Sequence, residues 1–555
     1  MRIENAVRTL LGSAGLCCLL FCAGCSSATQ ESNPATSPID WGMSLLAGGT
    51  VGYGQFPAKF TFDVTAAVTA ASCTTDFVVF NTGYPGLSGT NANIVAFNNL
   101  YSTQGGATGP LCGTTGPTAY WSYYTGTGSA LTSVTLSSDG TKVAFVENPA
   151  SGGAILRLLK WNAADGGTVS APTTVATGTS WTATPCTTGS CVISITFGNG
   201  AQDTISEPFY DFTHDVLYVG DNDGAVHKFT GVFNGTPAEN TTGWPITVNS
   251  GTTLTSPVYD SVSGNIYVGD STGRLSFLRT TLSTVGTCTP LPCLNATHLA
   301  VGTGGSIVDG PIVDGTNGFV FAVNGTETAD DGTILQASTD FTTSVVSEDI
   351  GANSGTTGRS FYGGAFDNTY FSSSKPAVAG YMYVCGKQSE TITPSATDRA
   401  AIYRLGFTGA GVLNSVSTSF EVEDPSGGTC SPITEFFNTT ASTDWIFFSV
   451  GEDVNAAVLP SGSACTSGCV MSIDLTTLTA WPPSSGTVTS TAAVPSNFPG
   501  STSGIVVDNY SSASQASSLY FAMGTNSTGA GPGLPSCNTT AGVGCAVKLT
   551  QSALK

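Results

Sequence analysis

The stretch Ser256–Leu278, reading S-P-V-Y-D-S-V-S-G-N-I-Y-V-G-D-S-T-G-R-L-S-F-L, decides the fold. Ile266/Val268 and Leu275/Phe277 alternate with other residues on either side of Asp270-Ser271-Thr272-Gly273, and a further run ends in Val258 and Tyr259. Alternation broken by Gly and Asp predicts antiparallel strands joined by tight turns.

The same unit recurs along the chain. Ser206–Asp211, Ser256–Asp260, Gly310–Asp314, Gly364–Asp367, Ser431–Glu435 and Gly504–Asp508 share a small residue, an apolar pair and a closing acid. Each precedes an apolar second strand: Leu217–Val219, Ile266–Val268, Phe319–Val323, Tyr381–Val384, Trp445–Val450 and Leu519–Met523. The closing acids Asp211, Asp260, Asp314, Asp367, Glu435 and Asp508 lie 49, 54, 53, 68 and 73 residues apart, and Asp139 lies 72 before Asp211. With the strands around Asp76 the units number eight; seven is the alternative count. Units this short cannot bury both faces alone and must stack, which predicts an all-β propeller of four-stranded blades. The runs L-Y-V-G-D-N-D-G-A-V at Leu217–Val226 and I-Y-V-G-D-S-T-G-R-L at Ile266–Leu275 resemble the pyrroloquinoline-quinone-type (quinoprotein-like) propeller repeat. That resemblance implies an eight-bladed ring from about Phe60 to the C-terminus.

Composition agrees with many short strands. Only 10% of residues are charged, and 69 glycines punctuate a chain that is 40% hydrophobic. The net charge of −21, from 37 acids against 16 Lys and Arg, works against nucleic-acid phosphates as a partner. Basic partners, cations and neutral glycans fit it.

At the N-terminus, Arg2 and Arg8 precede an apolar stretch, Leu10–Phe21, too short to span a bilayer comfortably. Cys22-Ala23-Gly24-Cys25 then resembles the lipobox of bacterial lipoproteins, although Cys22 stands where that motif usually has Leu. The resemblance implies a signal peptide over residues 1–24, a lipid (palmitate-bearing) anchor on Cys25 and, with Ser26 next, the outer membrane; an ordinary secretory signal is the competing reading. Residues 25–58 are expected to hold the lipidated cysteine and a flexible tether, and 59–555 the propeller.

Setting aside Cys17, Cys18, Cys22 and Cys25 leaves twelve of the sixteen cysteines, in neighbouring pairs: Cys73/Cys112, Cys186/Cys191, Cys288/Cys293, Cys385/Cys430, Cys465/Cys469 and Cys537/Cys545. An even set in an exported chain predicts disulfides. Zinc thiolates need C-x-x-C spacing or adjoining His, and neither is present.

The last unit has an innermost strand near Ile505, a second near Phe521 and a third at Cys545–Thr550, then ends. Lys59-Phe60-Thr61-Phe62-Asp63-Val64 alternates without a local partner, and is expected to supply the missing fourth strand and so close the ring.

Several residues invite chemistry. Gly269-Asp270-Ser271-Thr272-Gly273 fits the G-x-S-x-G pattern, but a hydrolase elbow needs a strand-to-helix turn and a nearby His, whereas strands flank this one. Asp221-Asn222-Asp223-Gly224 opens like a calcium loop, yet Val226, His227 and Lys228 follow where further oxygen ligands belong. The recurring acids could form a carboxylate ring for cations; acceptance of turn amides is the stronger reading. A bound quinone is not expected, since quinoprotein dehydrogenases typically carry an adjacent cysteine pair and regular tryptophans, and this mature chain has neither. No metal or other cofactor is called for.

These features point to a lipid-anchored binding or scaffold protein of the cell envelope. Its long second-to-third connections, Gly83–Ala92, Gly386–Ala400, Gly451–Cys469 and Gly524–Cys545, should gather on one face to recognise a protein or glycan. A carbohydrate-active lyase or hydrolase using acids and tyrosines is the alternative.

Overall fold

Short apolar runs separated by Gly and Asp form hairpins because the turn residues tolerate conformations that the strands do not. In the quoted stretch Val258–Asp260, Asn265–Gly269 and Arg274–Arg279 are successive antiparallel strands, with Tyr259 opposite Ile266 and Tyr267 opposite Phe277. Between the last two, Asp270 Oδ1 accepts the amides of Thr272 at 2.8 Å and Arg274 at 3.2 Å. Gly273 closes the turn at φ +79°, and a Cβ there would meet Gly304 O at 3.0 Å.

The computed structural model describes residues 39–47, 54–61, 71–104, 110–198, 204, 206–280, 290–325, 332–343, 345–351, 360–387, 399–416, 419–422, 430–450, 469–478, 480–483, 488–493, 502–509, 516–523, 543–551 and 554. All fall within the compact unit Ala35–Lys555. They form eight antiparallel blades. The innermost strands are Ala58–Phe60, Thr135–Leu136, Phe209–Asp211, Val258–Asp260, Ile312–Asp314, Ala365–Phe366, Thr434–Asn438 and Val506–Asp508, numbered here as blades one to eight. The inner strand of blade eight lies beside that of blade one, which lies beside that of blade two, so the sheets form a closed ring.

The core lies between blades. All six residues of Phe319–Asn324, the second strand of blade five, are buried, as a strand covered on both faces requires. Tyr267 and Phe277 of blade four pack with Val320, Leu335 and Phe341 of blade five, and Tyr383 and Ile402 of blade six pack with Ile446, Phe448 and Met471 of blade seven. The stacking expected from the short repeat is what buries these faces.

An N-terminal strand does close the ring, but not Lys59–Val64. Ile39–Ala47 pairs antiparallel with Val543–Thr550, with Trp41 opposite Lys548 and Met43 opposite Ala546. Ala58–Phe60 is instead the innermost strand of blade one, with Lys59 opposite Val78; residues 62–64 lie outside the described residues. The closing strand therefore falls within the span expected to be tether. Asp40 and Gly42 interrupt its apolar pattern, so it does not read as a strand. In the fold Asp40 is neutralised by Lys548 at 2.7 Å, while Trp41 buries against Phe97 and Tyr520 and donates its Nε1–H to Leu100 O at 3.0 Å.

Disulfides join Cys73 to Cys112, Cys186 to Cys191 and Cys385 to Cys430. Cys293, Cys469 and Cys545 are also disulfide-bonded, and Cys288, Cys465 and Cys537, the partners expected for them, lie outside the described residues. Cys385 sits on the second strand of blade six and Cys430 just before blade seven, so that bridge staples two blades.

Candidate functional site

Antiparallel blades put every first-to-second and third-to-fourth connection on one side of the disc, the turn face, and every second-to-third connection on the other. Most of the long second-to-third loops (388–398, 451–468 and 524–542) lie outside the described residues; Gly83–Ala92 is described and exposes Leu87.

The regular acids close the inner strands at the turn face except in blade seven, where Asn438 takes that place and accepts Thr440 N at 2.9 Å; Glu435, expected there, lies three residues earlier on the strand, opposite Ile446. Asp211 accepts Thr213 N at 2.9 Å, Asp260 accepts Ser263 N at 2.9 Å and Val262 N at 3.1 Å, and Asp314 accepts Asn317 N at 3.0 Å. Asp211 and Asp260 serve their own turns, while Asp314 also accepts the hydroxyl of Tyr370 in blade six on Oδ2 at 2.7 Å. Asp508 instead pairs with Lys59 at 2.9 Å across the seam between blades eight and one. Ser271 sits in a hairpin, its Oγ accepting Thr253 N at 3.1 Å. Asp221 gives Oδ1 to the amides of Asp223 and Ala225 and Oδ2 to His227 Nε2 at 3.0 Å; Glu239 meets His227 Nδ1 at 2.7 Å. Burial depresses the pKa of this imidazole, but hydrogen bonds to the two acids outweigh it and hold the value above the usual one.

Asp367 differs from the rest, because it lines a cleft between blades six and seven on the turn face. Its volume is about 290 Å³. Asp367 caps the short helix Asn368–Phe371, accepting Tyr370 N at 2.8 Å and Tyr381 N at 3.0 Å. Burial raises its pKa to about 6, the backbone amides oppose the rise, and nearby Asp444 adds to it. Asp444, on the second strand of blade seven, is 8% exposed and takes Asn368 N on Oδ2 at 2.8 Å, which ties the two blades together. Its Oδ1 is buried with no donor, and the Glu435 carboxyl hydrogen-bonds it only when one of the pair keeps a proton. Burial raises the Asp444 pKa, and Asp474 contributes in the same direction.

Aromatic side chains wall the cleft: Tyr381, Tyr383 and Phe437 line it, with Leu475 and Leu478 at the border. Arg404 stacks over Tyr381 with its guanidinium 4.3 Å from the ring centre and lies 5.5 Å from that of Trp481. A site of this kind can hold a small cation or a polar side chain. Asp367 was visible as a strand-closing acid. Asp444 and Arg404 were not, because no spacing marks residues that meet only when two blades stack.

The turn face also carries exposed apolar groups. Among the described residues seven large hydrophobic side chains are exposed, and six of them, Leu111, Phe212, Val262, Val345, Phe371 and Tyr381, lie in turn-face connections or at a strand's turn-face end. Five of these run through consecutive blades three to six.

No protein-family model and no curated protein matches this chain. Solved structures do. Sqt1 of Chaetomium thermophilum is 11% identical with a TM-score of 0.49, over 93% of this chain and 98% of that one. BamB from Moraxella catarrhalis is 11% identical with a TM-score of 0.33, over 90% and 97%. The periplasmic gluconolactonase PpgL of Pseudomonas aeruginosa is 11% identical with a TM-score of 0.32, over 69% and 97%. Among the described residues no helix is long and apolar enough to cross a membrane.

Proposed function

We propose that this protein is a lipid-anchored binding or scaffold propeller of the cell envelope, held to the bacterial outer membrane through Cys25 and engaging a protein partner through its turn face. The anchor reading is supported by the lipobox-like run Cys22–Cys25. The observation that carries the binding reading is the arc of exposed apolar side chains across blades three to six, with Val262 at 73% and Phe371 at 49% exposure. Large apolar side chains gathered on one face of the disc suit a surface that a partner covers. A carbohydrate-active enzyme draws support from Asp367, whose pKa of about 6 suits a general acid. Both oxygens of Asp367 are taken by backbone amides, which favours binding over catalysis.

The test is affinity capture from the native envelope with crosslinking, comparing the natural chain with a Phe212→Ser/Val262→Ser/Phe371→Ser variant of equal melting temperature. Recovery of one stoichiometric envelope protein by the natural chain and its loss with the variant is expected. Equal recovery by both, or glycan binding with no protein retained, would overturn the reading.

A further inference from the structure

The cleft between blades six and seven carries more charge of one sign than its own side chains neutralise. Asp367 and Asp444 line it, with the Glu435 carboxyl beside Asp444 and Asp474 close enough to raise the Asp444 pKa. Among the lining residues Arg404 is the basic one, and its guanidinium is stacked against Tyr381 and near Trp481. Asp444 is more than nine-tenths buried, lines the cavity, and has one oxygen without a donor. A buried carboxylate oxygen left this way is costly unless a proton or a cation meets it. A cation entering the cleft would meet it.

We infer that this cleft binds an organic cation, a guanidinium or primary ammonium group, with Asp444 as its anionic partner and the rings of Tyr383 and Phe437 as its walls. The chemistry is complementary in two respects. Carboxylates receive N–H donors, and tyrosine and phenylalanine rings attract cations to their faces. The volume, about 290 Å³, lies at the small end of ligand pockets and suits one side chain or a small diamine rather than a folded segment. The acidic net charge of −21 would favour the approach of such a group. This inference rests on the binding reading above, and names what one part of the turn face recognises.

The cation could arrive free or as a basic side chain of the partner, and the probes separate these. Calorimetric titration of the full chain in detergent would use agmatine, an acetylated Gly-Arg-Gly amide, and the same peptide with citrulline in place of arginine. The arginine peptide, agmatine, or both should bind. Agmatine alone would identify a free small cation, and binding of the arginine peptide a side chain. Where the arginine peptide binds, the neutral citrulline peptide should bind at least about tenfold more weakly, since it retains the shape but loses the charge.

Asp444→Asn keeps an acceptor for Asn368 N and removes the charge, so it should weaken cation binding at least about tenfold at unchanged melting temperature. Leu478→Trp, filling the border of the cleft, should abolish binding. If Asp444→Asn lowers the melting temperature, Leu478→Trp carries the test alone. Equal binding of arginine and citrulline peptides, no binding of either cation, or undiminished binding by the folded variants would overturn the inference. A Phe212→Ser/Val262→Ser variant, confined to blades three and four, leaves the cleft intact and should bind the cations normally, so failure of the partner reading and failure of the cleft are told apart.

Discussion

Replacing Asp40 with Ala is expected to weaken the joint at which the two ends of the chain meet. The Asp40 and Lys548 side chains are 3% and 0% exposed and 2.7 Å apart, and Asp40 Oδ2 also accepts the Thr550 hydroxyl at 2.6 Å. Burial holds the Lys548 pKa below its usual value, while Asp40 opposes that shift. Without Asp40 the ammonium keeps its desolvation cost and loses its principal counter-charge; breaking a buried pair in this way costs about 3–5 kcal/mol. Unfolding entropy of about 2 cal/mol/K per residue over roughly 500 residues is about 1 kcal/mol/K, so a ring that melts as one unit should lose about 3–5 °C. Calorimetric melting of Asp40→Ala, Lys548→Met and the double variant measures this directly. The double variant should recover most of the loss, because an apolar pair of similar volume replaces a buried ion pair at little cost. A single variant melting within about 1 °C of the natural chain, or a double variant as unstable as Asp40→Ala, would refute the claim that a buried ion pair seals the ring.

Two further outcomes follow from named contacts. His227 has a folded pKa above its unfolded value of about 6.5, so its contribution to stability is complete below that pH and is lost as pH rises through the folded value. Melting temperature should therefore fall with pH above about 6.5 in the natural chain and fall less steeply in His227→Gln, as pH-dependent calorimetry would record. The Cys385–Cys430 bridge spans 45 residues and joins blades six and seven, so Cys385→Ser/Cys430→Ser should lower the free energy of unfolding by about 4 kcal/mol, read as a lower guanidinium midpoint.

Blade four was readable almost residue by residue, because its strands, turns and closing acid are contiguous and local hydrogen bonds decide them. Asp270 and Gly273 make the hairpin that the same residues predict, which is why Ser271 belongs to a turn and not to a hydrolase elbow. The seam was harder. Lys59-Phe60 alternates as a strand and is one, but alternation does not name a partner, and the pairing of Lys59 with Val78 leaves the outer edge of blade eight to Ile39–Ala47. The closing strand escaped notice because Asp40 looks like a solvent-facing residue until Lys548, 508 positions away, is placed beside it.

The sequence by itself determined the repeat, its strands and turns, and the need for units to stack, since each of these depends on residues a few positions apart. Tertiary structure decided what happens between units: which strand closes the ring, which acids keep to their own turns, and which meet across a blade boundary. Asp444 reaches Asn368 and the surroundings of Asp367 only because blades six and seven pack face to face. Burial then changes what those carboxyls are chemically, raising both pKa values, and no spacing in the chain encodes the loss of water that does so.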